Sequence, residues 1–209
     1  MQATELRLSQ VLFEPDQPIQ HVYFPLSGII SLVVVGGDGA DLDVATIGNE
    51  GTAGLGGLLS GDVSFTRQMV RVAGQAVRIS RAPFLLAVDE SRHMRELLAA
   101  HADAFTAQLL QSIACATLHS VEQRLARWLL TIADRSGQRG IPFTHKAIAE
   151  LLGVQRPTVT LAARMMQKSG LIDSRRGLIT ITGRPGLRRI ACECYPIIRE
   201  TYDTALGGT

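Results

Sequence analysis

Residues 141 to 172 carry the side chains whose types and spacing could do chemistry, and that chemistry is capture of a polyanion rather than bond making. Thr144 is placed to N-cap a short helix, since its hydroxyl can accept from an orphan first-turn amide. Ala147, Ile148, Leu151 and Leu152 fall on one face of that helix, and Ala149 is small where a second helix must approach. Gly153 follows four residues later, where the chain turns and a Cβ would be costly. Val159, six residues on, plugs the angle between two helices. This spacing is that of a helix–turn–helix.

The second helix is predicted over Arg156–Lys168. Pro157 is tolerated there because a first-turn residue donates no intrahelical bond. Val159, Ala162, Ala163 and Met166 point inward. Arg156, Thr160, Arg164 and Gln167 line the opposite face with Leu161 beside them, a short basic surface of the kind that enters a major groove. Arg156 can chelate guanine O6 and N7; Gln155, Pro157, Thr158, Thr160 and Leu161 are expected around it. Thr144, His145, Lys146, Arg164 and Lys168 are placed for phosphates. Two strand-like runs then flank Arg175-Arg176-Gly177, a hairpin whose tip would reach the phosphate backbone.

Charge agrees with that reading. Residues 1–120 hold 7 Arg and no Lys against 12 acidic residues, a net of −5, whereas residues 121–209 hold 14 basic against 7 acidic, a net of +7. Residues 135–189 carry 11 basic groups and only Glu150 and Asp173 as acids. An acidic front and a basic back imply two jobs, the second with a polyanionic partner.

The elements that must position these groups can be read from hydrophobic period. Residues 1–90 read as β. Gln10–Glu14, Val22–Phe24, Gly28–Val35, Asp41–Ile47, Gln68–Val72 and Gln75–Ser80 are short and β-branched, with turns at Pro15–Pro18, Gly36–Gly39, Gly48–Gly51 and Ser60–Asp62. Many short strands imply a sandwich or barrel. From about residue 97 the apolar residues Leu98, Ala102, Phe105, Leu109, Ile113 and Ala116 step at a mean of 3.6, a helical stripe. Ala104, Ala107, Leu110, Ala114 and Thr117 supply a second small or apolar face. A helix apolar on two sides must be covered twice, and a second copy of itself is the economical partner. Phe105, Leu109, Ile113 and Ala116 are the expected dimer contacts. Ser120-Val-Glu-Gln123 matches a capping box that restarts the helix. The domains are therefore expected at 1–96, 97–119 and 120–209, with a hinge near Leu118–Ser120.

Several function classes fall away. The N-terminus lacks a basic region followed by an apolar run, so no secretory signal is expected. The uncharged stretches His21–Gly37 and Ala104–Val121 fit strands and a protein seam better than a membrane span. Cys115, Cys192 and Cys194 are too few and scattered for a disulfide framework, which points to a reducing cytoplasm. Cys192 and Cys194, on an expected helix, would point different ways. His21, His93, His101, His119 and His145 look isolated, so no metal site is expected. A cupin-like β-barrel enzyme with a helical tail, the alternative class, needs two or three His and a carboxylate within 1–90, where only His21 lies.

The order of β-rich region, long helix and then Ala149-Glu-Leu-Leu-Gly-Val, Arg156-x-Thr-Val, Gly170-Leu-Ile and Arg176-Gly-x-Ile-x-Ile resembles the Crp/Fnr family of bacterial transcription regulators over nearly the whole chain. The resemblance implies an α+β fold: an N-terminal jelly-roll (β-roll) sensor domain resembling a cyclic-nucleotide-binding domain, a long central dimerisation helix and a C-terminal winged helix–turn–helix. It further implies a cytoplasmic homodimer that binds an inverted-repeat operator in double-stranded DNA, with RNA polymerase as partner. Family recognition helices commonly open with Arg, then Glu, with a second Arg five residues after the first; here Arg156 is kept, but Pro157 and Leu161 stand at the other two positions. An effector pocket would involve Gly54, Leu55, Gly56, Gly57, Arg67 and Gln68. The Glu that holds a cyclic nucleotide's ribose and the Arg-Ser-Ala that grips its phosphate are both missing, so the effector is unassigned and no cofactor is implied.

Overall fold

The computed structural model describes residues 1–36, 41–58, 62–138 and 140–207. Most of the turn expected at Gly36–Gly39, and the start of that at Ser60–Asp62, lie outside these residues. Seven strands, β1 (Gln2–Leu6), β2 (Val11–Phe13), β3 (His21–Pro25), β4 (Ile29–Val35), β5 (Asp41–Ile47), β6 (Arg67–Val72) and β7 (Gly74–Ser80), build two antiparallel sheets, ordered β1–β7–β3 and β2–β6–β4–β5. Alternation decides which side chains go in: along β6, Gln68, Val70 and Val72 are buried while their neighbours are only half-buried. The β-domain core gathers Leu6, Phe13, Ile19, Val22, Ile30, Ile47, Val70 and Phe84. β1 lies outside every run that the alternation singled out. Only Leu6 of it is buried, and the ladder with β7 makes it a strand.

Residues 81–90, expected as β, are instead a helix, α1 (Arg81–Glu90). Phe84 and Val88, four residues apart, put both large groups on one face, and Pro83 falls in the first turn, where it costs no hydrogen bond. The long helix α2 (Arg92–Leu118) begins five residues before the expected start, at Ser91, whose side chain accepts from Met94 N. Its inward face is Leu98, His101, Ala104, Gln108 and Cys115. The polar members hid this face from the apolar period. Of the expected stripe, Leu98 is buried, Phe105 and Leu109 are half-buried, and Ala102, Ile113 and Ala116 are exposed.

Ser120 and Gln123 form the expected capping box at the start of α3 (Val121–Ser136), and the left-handed Gly137 ends it. Beyond lie β8 (Gly140–Ile141), α4 (His145–Leu152), α5 (Arg156–Lys168), β9 (Ile172–Arg175), β10 (Leu178–Ile181), α6 (Arg184–Ile190) and α7 (Cys194–Ala205). One apolar cluster unites Leu125, Leu129, Ile132, Ile148, Val159, Met166, Ile172 and Leu187, and it includes Ile29 and Val72 from the β-domain. Trp128 and Phe143 meet edge to face at 4.8 Å within it.

Arg135, in the last turn of α3, is only 8% exposed. Its Nη1 donates to the carbonyl and hydroxyl oxygens of Thr46, both at 2.8 Å, and its Nη2 donates to Gln108 Oε1 at 2.6 Å. Its Nε lies 2.9 Å from Glu50 Oε1, and its guanidinium sits 5.1 Å from the centroid of the Tyr202 ring. Burial pushes the Tyr202 hydroxyl up to about 12. Gly48 permits the approach: a Cβ there would lie 2.5 Å from Arg135 Cβ.

The cysteine and histidine expectations need correction. Cys192 precedes α7 and Cys194 opens it, so the two are not successive residues of one helix. The turn brings both thiols to Cys115 and His119 at the end of α2, so neither the thiols nor His119 are isolated.

Removing the Arg135 guanidinium would leave Glu50 partly buried and unpaired. Arg135→Met is expected to destabilise the chain by about 3–5 kcal/mol, with Glu50→Gln recovering part of the loss in the double variant. Chemical unfolding of the three variants measures this; an unchanged midpoint for Arg135→Met would show that the pair contributes nothing net.

Candidate nucleic-acid interface

The local chemistry of the C-terminal domain follows the sequence closely. Thr144 caps α4 by accepting from Ala147 N, and Gly153 ends that helix at φ +62. Val159 is fully buried between α4 and α5, with Ala149, Ala162, Ala163 and Met166 beside it. α5 spans Arg156–Lys168 with Pro157 in its first turn. On its outer side Gln155, Arg156, Pro157, Thr158, Leu161, Arg164 and Lys168 are exposed and Thr160 is half-buried. Leu161, 61% exposed among charged neighbours, offers a methyl-bearing surface beside the two arginines.

β9 and β10 pair in register through Arg175↔Leu178 to Ile172↔Ile181, and β8 adds a short third strand beside β10. Arg176 and Gly177 form the tip. Arg176 has φ +48, a left-handed conformation that a two-residue hairpin demands. A Cβ on Gly177 would lie 3.5 Å from Thr144 Cγ2, so the tip lies over the N-terminus of α4. Arg175 and Arg176 are exposed, and Arg175 Nε donates to Asp173 Oδ1 at 3.0 Å. Lys146 is exposed and lies 3.8 Å from Glu150, a weak i,i+4 pair that a phosphate would outcompete.

His145 and Gln167 have another task. The Thr160 hydroxyl donates to the Arg156 carbonyl at 3.0 Å, so it accepts from His145 Nδ1 at 3.2 Å. His145 Nε2 then accepts from the Ser174 hydroxyl at 3.1 Å. Burial first, and then the charges of Arg156 and Arg164, lower the His145 pKa. The ring is thus a neutral strut joining α4, α5 and the wing. Gln167 Oε1 accepts from Ser174 N at 3.2 Å and fixes β9 to α5. The expectation of His145 at a phosphate rested on its place in the first turn and could not include these partners.

Of the six residues named for an effector pocket in the β-domain, Gly54, Arg67 and Gln68 are engaged. Gly54 N donates to Gln68 Oε1 at 3.1 Å, and Arg67 Nε donates to Glu14 Oε2 at 2.9 Å. Gly54 and Gly57 have positive φ, and a Cβ on Gly57 would fall 1.8 Å from the Val63 carbonyl oxygen. Close packing alone therefore requires glycine at that turn. A cleft of about 570 Å³ lies between β5, the C-terminal half of α2, α3 and α4, and it is lined by Ala45, Leu109, Ile113, Trp128 and Leu152 among others.

Among the described residues, no helix is long and apolar enough to cross a membrane. Residues 3–91 match the family model of the cyclic nucleotide-binding domain, and residues 123–190 match that of the Crp-like helix-turn-helix domain. The chain is similar to the global nitrogen regulators of Nostoc sp. and Synechocystis sp., at 26% and 25% identity over 183 residues. Each alignment covers 83% of this chain, with 82% and 81% of the relatives covered. Its fold is that of FixK2 from Bradyrhizobium japonicum, with TM-score 0.77, 17% identity and 91% and 97% of the two chains covered. It is also that of a CRP/FNR-family transcriptional regulator from Thermus thermophilus, with TM-score 0.73, 21% identity and 91% and 98% covered.

Proposed function

We propose, since this chain belongs to the Crp/Fnr family of DNA-binding transcription regulators, that it binds an inverted-repeat operator as a homodimer, one winged helix–turn–helix to each half-site. The observation that carries the reading is the outer face of α5. Arg156, Thr158, Leu161, Arg164 and Lys168 face solvent there, beside a wing that carries Arg175 and Arg176. In this reading Arg156 and Leu161 meet base edges, with Gln155, Pro157, Thr158 and Thr160 around them. Thr144, Lys146, Arg164, Lys168 and the wing arginines hold phosphates. Pro157 and Leu161 stand where the family commonly has Glu and Arg, which argues for a half-site of its own.

The unpartnered side of α2 supports the dimer. Leu110, Ile113 and Leu118 are 64%, 66% and 74% exposed, and Ala116 is exposed with them. Ile113 and Ala116 belong to the stripe read from the sequence; Phe105 and Leu109 are half-buried, and Phe105 packs against the β-domain core. Three thiols free of disulfides suit a reducing cytoplasm, where RNA polymerase would be the second protein partner. The reading divides the chain at 1–96, 97–119 and 120–209; its first boundary falls within α2, and its hinge falls at His119–Ser120 between α2 and α3. An anionic effector at Gly54–Gly57 and Gln68 would have to displace Glu14 from Arg67, which weighs against a cyclic nucleotide.

Selection of bound sequences from a random DNA pool supplies the operator. On it, Arg156→Ala is expected to lose about 1–3 kcal/mol and to relax preference at one base pair, read by anisotropy over single-base variants; unchanged affinity would remove α5 as the reading helix. Arg176→Ala should weaken all duplexes alike and lower the slope of log K against log salt by about one unit. Replacing Leu110 and Ile113 together by Glu should yield a folded monomer in sedimentation that no longer spans two half-sites. A dimer that persists would place the interface elsewhere.

A further inference from the structure

Four potential ligand atoms meet where the central helix gives way to the DNA-binding domain: the thiols of Cys115, Cys192 and Cys194 and a ring nitrogen of His119, all within 4.8 Å of one another. We propose that these residues form a mononuclear zinc site, a closed Cys3His tetrahedron that ties the end of α2 to the α6–α7 junction.

The geometry fits one small ion. Cys115 Sγ lies 3.5 Å from Cys192 Sγ, and Cys194 Sγ lies 3.5 Å from His119 Nδ1. With Zn–S of about 2.3 Å and Zn–N of about 2.0–2.1 Å, ligand atoms at tetrahedral angles stand about 3.5–3.8 Å apart. A disulfide would need its sulfurs at about 2.05 Å, and all three thiols are free. An iron–sulfur cluster would hold its thiolates further apart, with iron and sulfide between them. Three soft thiolates and one imidazole select zinc among the common divalent ions.

The surroundings are those of a structural site. All three cysteines are buried and His119 is half-buried, and the four ligand atoms leave no open position on a tetrahedral ion. His119 Nε2 lies 3.0 Å from Glu193 Oε1, an arrangement that places the ring proton on Nε2, donated to the carboxylate, and leaves Nδ1 for the metal. Gln111 Nε2 donates to Cys194 Sγ at 3.1 Å. Cys115 and His119 stand four residues apart at the end of α2, hence on one face. Cys192 and Cys194 come 73 and 75 residues after His119, so the ion closes a long loop across the Ser120 hinge.

The test uses untagged protein purified under reducing conditions without chelator. Elemental analysis is expected to find about one zinc per chain. Cobalt(II) in its place should give the intense visible absorption of a tetrahedral, thiolate-rich site, bleached by added zinc. Cys192→Ser and His119→Ala, each checked for fold by circular dichroism, should lose the metal. Chelation should lower the melting temperature of the wild type and leave those variants unmoved. The cobalt spectrum of the wild type decides the matter even where a variant fails to fold. Apoprotein that takes up neither ion while three thiols titrate freely would overturn the proposal. So would a Cys115–Cys192 disulfide in reduced protein, an iron- and sulfide-containing chromophore, or full metal content in folded variants. Metal binding does not rest on the DNA reading: zinc retained by a chain that ignores every duplex would sink that reading alone.

Discussion

The buried guanidinium of Arg135 is the constraint on which the arrangement of the two domains depends. Taking an ion out of water costs several kcal/mol, and only a full set of partners offsets that. Here the set comes from four places: Thr46 at the end of β5, Glu50 in the turn after it, Gln108 on α2 and the Tyr202 ring on α7. No smaller group of elements could satisfy the charge. The sensor-like sheet, the central helix and the DNA-binding domain must therefore meet in one relative position for this centre to close. Its place in the last turn of α3 also sets a cation against the helix's negative end.

The same centre changes how the charge of the chain is understood. Arg135 belongs to the basic stretch 135–189, yet it faces inward, and Arg184 of the same stretch pairs with Asp134. Among the described residues of this stretch, the cations left facing solvent are those of α5, the first turn of α4 and the wing, with Arg188 and Arg189 on α6. Rigidity there is provided by neutral groups: His145 and Gln167 spend their polar atoms on Thr160 and Ser174 and so hold the reading helix and the wing as one surface. A surface preorganised in this way loses less ordering entropy when it meets a duplex.

In the β-domain, residues expected around an effector are held by partners within the chain. Arg67 and Gln68 bond to Glu14 and to the Gly54 amide, and Gly57 is pressed against the Val63 carbonyl. The α2 helix, by contrast, leaves Leu110, Ile113 and Leu118 to solvent.

What could be read from the residues alone was whatever depends on local spacing. The strands other than β1 and β8, the capping box at Ser120, the cap at Thr144, the turn at Gly153, the burial of Val159 and both ends of α5 all follow from interactions spanning a few residues. Tertiary structure alone decided whatever depends on distant partners. β1 exists because β7 pairs with it, and α2 turns a polar face inward because Thr52 N and the Arg135 guanidinium bond to His101 and Gln108. Cys115 meets Cys192 and Cys194 only because α7 folds back along α2. Hydrophobic period records which side of an element avoids water, but it carries no record of which buried polar groups will find each other across the chain.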